Sequence, residues 1–295
     1  MTDTLRKMVA AELKEPVKPR VAAMAEAIAA RYGDAARAVL FYGSCLRTAD
    51  LDGQMLDFYL IVSDYRAAYG KSWLATANRL VPPNVFPFEH AGLAAKYAVL
   101  SQADLMRECG PEARSVSVWA RFAQPARLVW ASDQAASAQA MSAIAQAAPT
   151  LFRMTLPVAP PGSDVLDIWK RGFGLTYGAE LRAERLNRSA AIVDAYPDRY
   201  RLFGEAALAA IGPERLQCPD QMRRAWKRMQ RGGKWMSVLR LAKASGTFAG
   251  GIDYIAWKIN RHAGTDIAIK PWQRRWPLLG AVTLLPRLLK RGAIR

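Results

Sequence analysis

The chain has 295 residues, 52% of them hydrophobic, with 42 Lys and Arg against 25 Asp and Glu, a formal net charge of +17. That length and apolar content predict a folded protein with a large core and one or two domains, and exclude a wholly disordered chain. Three scattered cysteines (Cys45, Cys109, Cys218) make no metal or disulfide spacing, and with only His90 and His262 present, zinc chemistry and histidine-based catalysis have little support.

The N-terminal residues 1–19 mix acids, lysines and prolines without an apolar core, so no signal peptide is expected there. Residues 21–32 are alanine-rich and helix-periodic. Residues 38–42 and 55–62 read as strands, and 74–80 as a helix ended by Pro82-Pro83. Further strands are expected at 85–88, 96–101 and 127–130, with a helix opening at 103–108. Together they predict an α/β sheet of about five strands, built mainly before Ala135. From Gln134 onward the pattern turns helical, at 135–148, 165–175 and, behind Pro197, 198–210. Residues 157–161, bounded by prolines, are the best linker candidate.

Charge is unevenly placed. Residues 221–295 hold 17 Lys and Arg against two acids, Asp253 and Asp266, which is +15 of the total of +17. A concentrated basic region points to a polyanion, either nucleic acid or an anionic membrane. Within it, Trp272, Arg274, Arg275 and Trp276 precede an uncharged run of eleven residues, 276–286. A spanning helix needs about 20 residues, so this run is expected to lie at the membrane interface, with indoles at headgroup depth and cations on anionic lipid. The plain alternative is a final helix packed on the core.

The strongest chemical signal is Phe41-Tyr42-Gly43-Ser44 followed by Met55-Leu56-Asp57-Phe58-Tyr59-Leu60-Ile61-Val62. Strand, Gly-Ser turn, then a strand carrying an acid is the layout of a nucleotidyltransferase site. The turn approaches a triphosphate and the acid holds a divalent metal. Such sites usually carry two acids on the second strand with one residue between them, on the same face. Here those positions are Asp57 and Tyr59, so a second ligand has to come from elsewhere. Asp64 and Glu89 are the candidates, with Asp50 and Asp52 behind them; each taken alone also reads as a solvated turn residue.

Further segments follow in order: Lys96-Tyr97-Ala98-Val99-Leu100-Ser101, Trp119-Ala120-Arg121-Phe122-Ala123-Gln124-Pro125-Ala126-Arg127-Leu128-Val129 and Gly174-Leu175-Thr176-Tyr177-Gly178. From about residue 39 to about 264 the chain resembles the mitochondrial-type CDP-diacylglycerol synthases, the translocator-assembly-and-maintenance type phosphatidate cytidylyltransferases, and their bacterial relatives. Cys45 departs from that pattern, where a second glycine is usual.

The resemblance implies an α/β nucleotidyltransferase-like mixed sheet (1–156), a mainly helical, winged-helix-like domain (157–264) and a C-terminal membrane-binding segment (265–295). It implies CTP and phosphatidic acid as substrates, Mg²⁺ or another divalent cation, and CDP-diacylglycerol and pyrophosphate as products. An anionic membrane surface is the expected partner, nucleic acid is disfavoured, and the expected place is peripheral, on the cytoplasmic face of the inner membrane. The oligomeric state is left open. On this reading Asp57 and Lys96 are catalytic and Asp57, Asp64 and Glu89 are metal candidates. Tyr42, Gly43, Ser44 and Arg121 bind nucleotide. Arg127 reads equally as a surface ion pair, and Gly174 and Tyr177 as core. Lys243, Ser245 and Thr247, in a Gly- and hydroxyl-rich turn at 241–251, are expected to hold the phospholipid headgroup. Two alternatives stand beside this reading: transfer to a nucleic acid 3′ end, and an inactive membrane-binding scaffold that kept the fold.

Overall fold

A computed structural model describes residues 3–46, 51–70, 72–179, 188–212, 216–247 and 270–271. Its centre is a mixed five-stranded sheet in the order β3-β4-β2-β1-β5, formed by β1 (Ala36–Tyr42), β2 (Met55–Val62), β3 (Asn84–His90), β4 (Leu93–Ser101) and β5 (Ala126–Ala131). All five expected strands are present. β2, in the middle, pairs antiparallel to β1 and parallel to β4. Five consecutive residues of β2, Phe58 to Val62, are buried, the continuous apolar run expected of a strand covered on both faces.

The sheet separates two sets of helices. On one face, α2 (Pro19–Ala30), α3 (Tyr65–Tyr69) and α4 (Ser72–Leu80) cover the face that carries Val39, Phe41, Leu56, Phe58, Leu60 and Val99, joining Met24 and Ile28 of α2 in one cluster. On the other lie α1 (Asp3–Leu13), α5 (Gln102–Cys109), α6 (Trp119–Phe122), α7 (Gln134–Ile144), α8 (Ala147–Thr155), α9 (Val165–Tyr177), α10 (Arg188–Asp194), α11 (Pro197–Ile211) and α12 (Pro219–Thr247). A single larger cluster runs from Leu40, Tyr59 and Ile61 of the sheet through Leu151, Trp169 and Tyr200 to Met222 and Trp226. The helices beyond residue 157 therefore share their core with the sheet. No helix among the described residues is long and apolar enough to cross a membrane.

Three segments differ from the sequence expectation. Residues 3–13 form α1, because Leu5, Val9 and Leu13 recur at helical spacing and are all buried. The helix expected over 135–148 is two helices, with Pro149 in the first turn of α8, where its missing N–H costs nothing. The turn expected at 241–251 is helical as far as Thr247. Backbone N–H groups inside a helix are already bonded, so Lys243, Ser245 and Thr247 do not form the anion cradle assigned to them.

Candidate active site

Strand register builds the site. Tyr42 is the Cα partner of Asp57, Asp57 of Lys96, and Lys96 of Pro87, while Tyr42 pairs with Ala126 on its other side. One rung across the sheet thus reads Pro87, Lys96, Asp57, Tyr42, Ala126. Directly paired residues share a face, so Lys96, Asp57 and Tyr42 stand in a row on the face that bears the larger core. All three are partly exposed. Adjacent strands are about 4.8 Å apart, so the row is roughly 10 Å from Lys96 to Tyr42.

The row is charged at its centre. Lys96 Nζ lies 3.0 Å from Asp57 Oδ1, with about a fifth of the Asp57 side chain and a quarter of the Lys96 side chain exposed. Oδ1 itself is screened from solvent and has no partner at hydrogen-bonding angles, so the contact with lysine is one of charge. Gly43, just past β1, has φ +94°, and a Cβ there would come within 3.1 Å of Asp57 Oδ2. Glycine is favoured here by the backbone angle, and the approach of the carboxylate leaves little room for a side chain. Ser44 follows, exposed, at the start of a short 3₁₀ turn.

The inner wall of the site is aromatic. Tyr42 packs on Tyr59 at 5.3 Å between ring centroids, and Tyr59 on Phe122 at 5.2 Å. Arg121 places its guanidinium 5.9 Å from the centre of the Tyr42 ring, a cation–π contact that holds a second positive group beside the row. The sequence marks Tyr59 only as the residue standing where a second acid is usual, and assigns Phe122 no role of its own. Tyr59 is two residues from Asp57 and so shares its face. It is 2% exposed, and a carboxylate in its place would be a charge buried under Phe122. That accounts for the single strand acid.

Cys45 turns inward. It is buried, its thiol donates to the Met55 carbonyl at 3.6 Å, and burial followed by the nearby Asp57 charge pushes its pKa up. It ties the Gly-Ser turn to the start of β2.

The remaining candidates are not brought to the row. Asp64 lies at the far end of β2, seven residues and roughly 20 Å along the strand from Asp57. Its carboxylate accepts the backbone N–H groups of Arg66 and Ala67 as the N-cap of α3. Glu89 shares the face of Lys96 but sits on β3 opposite Ala94, two strands from β2. Asp52 pairs with Arg20 at 2.9 Å, Arg127 pairs with Glu15, and Asp50 falls outside the described residues. Lys243 donates from α12 to the carbonyls of Val81 and Pro83, on the strand end away from Pro87. Side chains of Ser245 and Thr247, and all of Trp272, Arg274, Arg275 and Trp276, also lie outside what is described.

Among the described residues no group of three or more His, Cys, Asp or Glu side chains is arranged to hold a metal. A divalent cation of the Mg²⁺ type is often held by one or two carboxylates with substrate phosphates and water. Asp57, whose Oδ1 meets Lys96 while Oδ2 stands beside the Gly43 turn, has the donor chemistry for that use as a protein ligand. No family model matches the chain, and no curated protein matches it.

Proposed function

We propose that this chain is a nucleotidyltransferase that joins CTP to phosphatidic acid at an anionic membrane surface, giving CDP-diacylglycerol and pyrophosphate. The observation that carries the transferase part is the row Lys96, Asp57, Tyr42, with Gly43 at φ +94° against the Asp57 carboxylate. An acid, a lysine and a glycine turn on one sheet face are what triphosphate binding asks for. CTP and phosphatidate as the particular substrates rest on the sequence resemblance.

In this reading an oxygen of the phosphatidate phosphate attacks the α-phosphorus of CTP in line. The bond to the bridging oxygen breaks, and pyrophosphate leaves with the electron pair. A phosphate monoester is already an anion near neutral pH, so the acceptor needs no dedicated base. The Gly43-Ser44 turn accommodates the β- and γ-phosphates, Ser44 by its hydroxyl. Lys96 and Arg121 offset the negative charge of the triphosphate. Asp57 would hold the divalent cation, which when bound neutralises the phosphates and polarises them. A peripheral enzyme on the cytoplasmic face of the inner membrane suits the basic C-terminal quarter.

The test is labelled CTP with Mg²⁺ and either phosphatidate liposomes or RNA. Label is expected in a lipid product and pyrophosphate in solution. Label added to RNA overturns the lipid acceptor. No product from either acceptor favours the inactive scaffold, a reading to which the Asp57–Lys96 pair also lends support, since it neutralises the one acid of β2.

A further inference from the structure

We propose that the outward face of α12 is the surface on which this chain docks to an anionic bilayer. The inference locates the membrane contact; it rests on the membrane part of the reading above and is independent of the transfer chemistry.

One side of α12 is held along its length. Met222 and Trp226 are each 3% exposed, and the Trp226 indole N–H donates to the Met154 carbonyl at 2.7 Å. Gly233 lies so close to the Ala179 carbonyl that a Cβ would collide with it. Farther on, Arg240 donates to the Pro82 carbonyl at 2.7 Å and to Ser117 Oγ at 2.6 Å, and Lys243 reaches Val81 and Pro83. These contacts leave the opposite side pointing outward in a set direction.

That opposite side is a single stripe. Arg224, Arg228, Arg231, Trp235 and Leu239 follow at helical spacing and are all exposed. The stripe is about 22 Å long. Trp235 is 72% exposed and Leu239 48%, and the two lie one turn apart on the same side as the arginines. The helix carries eight Lys and Arg against one acid, Asp220, which is paired with Arg223. Among the described residues no acid pairs with Arg224, Arg228 or Arg231.

The chemistry of this stripe selects its occupant. Guanidinium groups pair with lipid phosphates, an indole settles at headgroup depth, and a leucine beside it gains by entering the acyl boundary. A nucleic acid would use the same cations but gains nothing from Leu239, and stacking needs aromatic rings repeated along the strand path, whereas the stripe has one.

The experiment is co-sedimentation of the full chain, C-terminal residues included, with vesicles of phosphatidylcholine alone or mixed with phosphatidylglycerol. The native chain is expected to bind the anionic vesicles and to release them as salt is raised. Replacing Arg224, Arg228 and Arg231 together by Gln is expected to lower partitioning about 100-fold. Trp235→Ser with Leu239→Ser is expected to lower it about 10-fold at unchanged charge. All five positions are exposed, so the variants should match the native chain in circular dichroism and thermal melt, and in turnover on short-chain, dispersed phosphatidate. Native-like vesicle binding by the arginine variant overturns the proposal, as does loss of binding to a single-stranded oligonucleotide with vesicle binding kept. A native chain that binds vesicles through this stripe yet turns over no acceptor would sink the transferase reading and leave the docking surface standing.

Discussion

Asp57 and Lys96 are direct partners in the parallel pairing of β2 and β4, and their charges meet at 3.0 Å between Oδ1 and Nζ. They are 39 positions apart in the chain. The pair sets an acid and a lysine side by side on adjacent strands, where each offsets the charge of the other.

Asp57→Asn is expected to lower CTP-dependent product formation by about 10³-fold or more, since the amide keeps shape and loses the charge proposed to hold the divalent cation. Both side chains are partly exposed, so the stability cost should stay within about 1 kcal/mol. Initial rates and urea unfolding of the variant check the two halves. Turnover close to that of the native chain would remove Asp57 from the site.

Gly43→Ala is expected to cost about 1–2 kcal/mol of stability, because alanine is strained at φ +94°. The new methyl also lands against Asp57 Oδ2 and pushes the carboxylate off its place. Activity should therefore fall by more than Asp57-independent properties do, on the order of 10²-fold. A variant that loses stability and keeps its rate would show the turn to be structural.

Lys243 supplies a pH test of how α12 is seated. Burial, with Arg240 adding to it, pushes its pKa down to about 7 from 10.5. A neutral amine still has N–H donors for the Val81 and Pro83 carbonyls. Between those two pH values the unfolded chain holds more protons than the folded one, so stability rises with pH across that window, by at most about 1.4 kcal/mol per unit. Below about pH 7 both states are charged and the cost of burying the cation is fully present. Urea unfolding of the native chain and of Lys243→Met, from about pH 7 to about pH 10, should show a rise in the first that is missing in the second.

Arg199→Met is expected to destabilise the chain by about 3 kcal/mol. Arg199 Nη2 meets Glu12 Oε1 at 2.8 Å, Nη1 donates to the Ala123 carbonyl at 3.2 Å, and both side chains of the pair are under 15% exposed. Removing the arginine leaves the Glu12 carboxylate buried and alone, and loosens α1 from α11. Glu12→Gln with Arg199→Met should recover part of the loss; equal losses in single and double variants would deny the coupling.

Local pattern was enough for much of the frame. Apolar runs bounded by Gly and Pro placed β1 to β5 within three residues of their observed starts and two of their ends, because strand period and turn chemistry act over a few residues. The glycine turn and Asp57 were legible for the same reason. The row was not. That Lys96 faces Asp57 and that Tyr59 closes under Phe122 follow from register and packing between segments far apart in sequence. The same holds for α12. Its Gly-rich, strongly basic sequence has weak helical preference around Gly232 and Gly233, yet Met222 and Trp226 enter the core and Gly233 fits against the Ala179 carbonyl. Burial of a few side chains outweighs a propensity cost of about 1 kcal/mol per glycine. Only the assembled chain decides which of its acids, lysines and arginines are left facing outward.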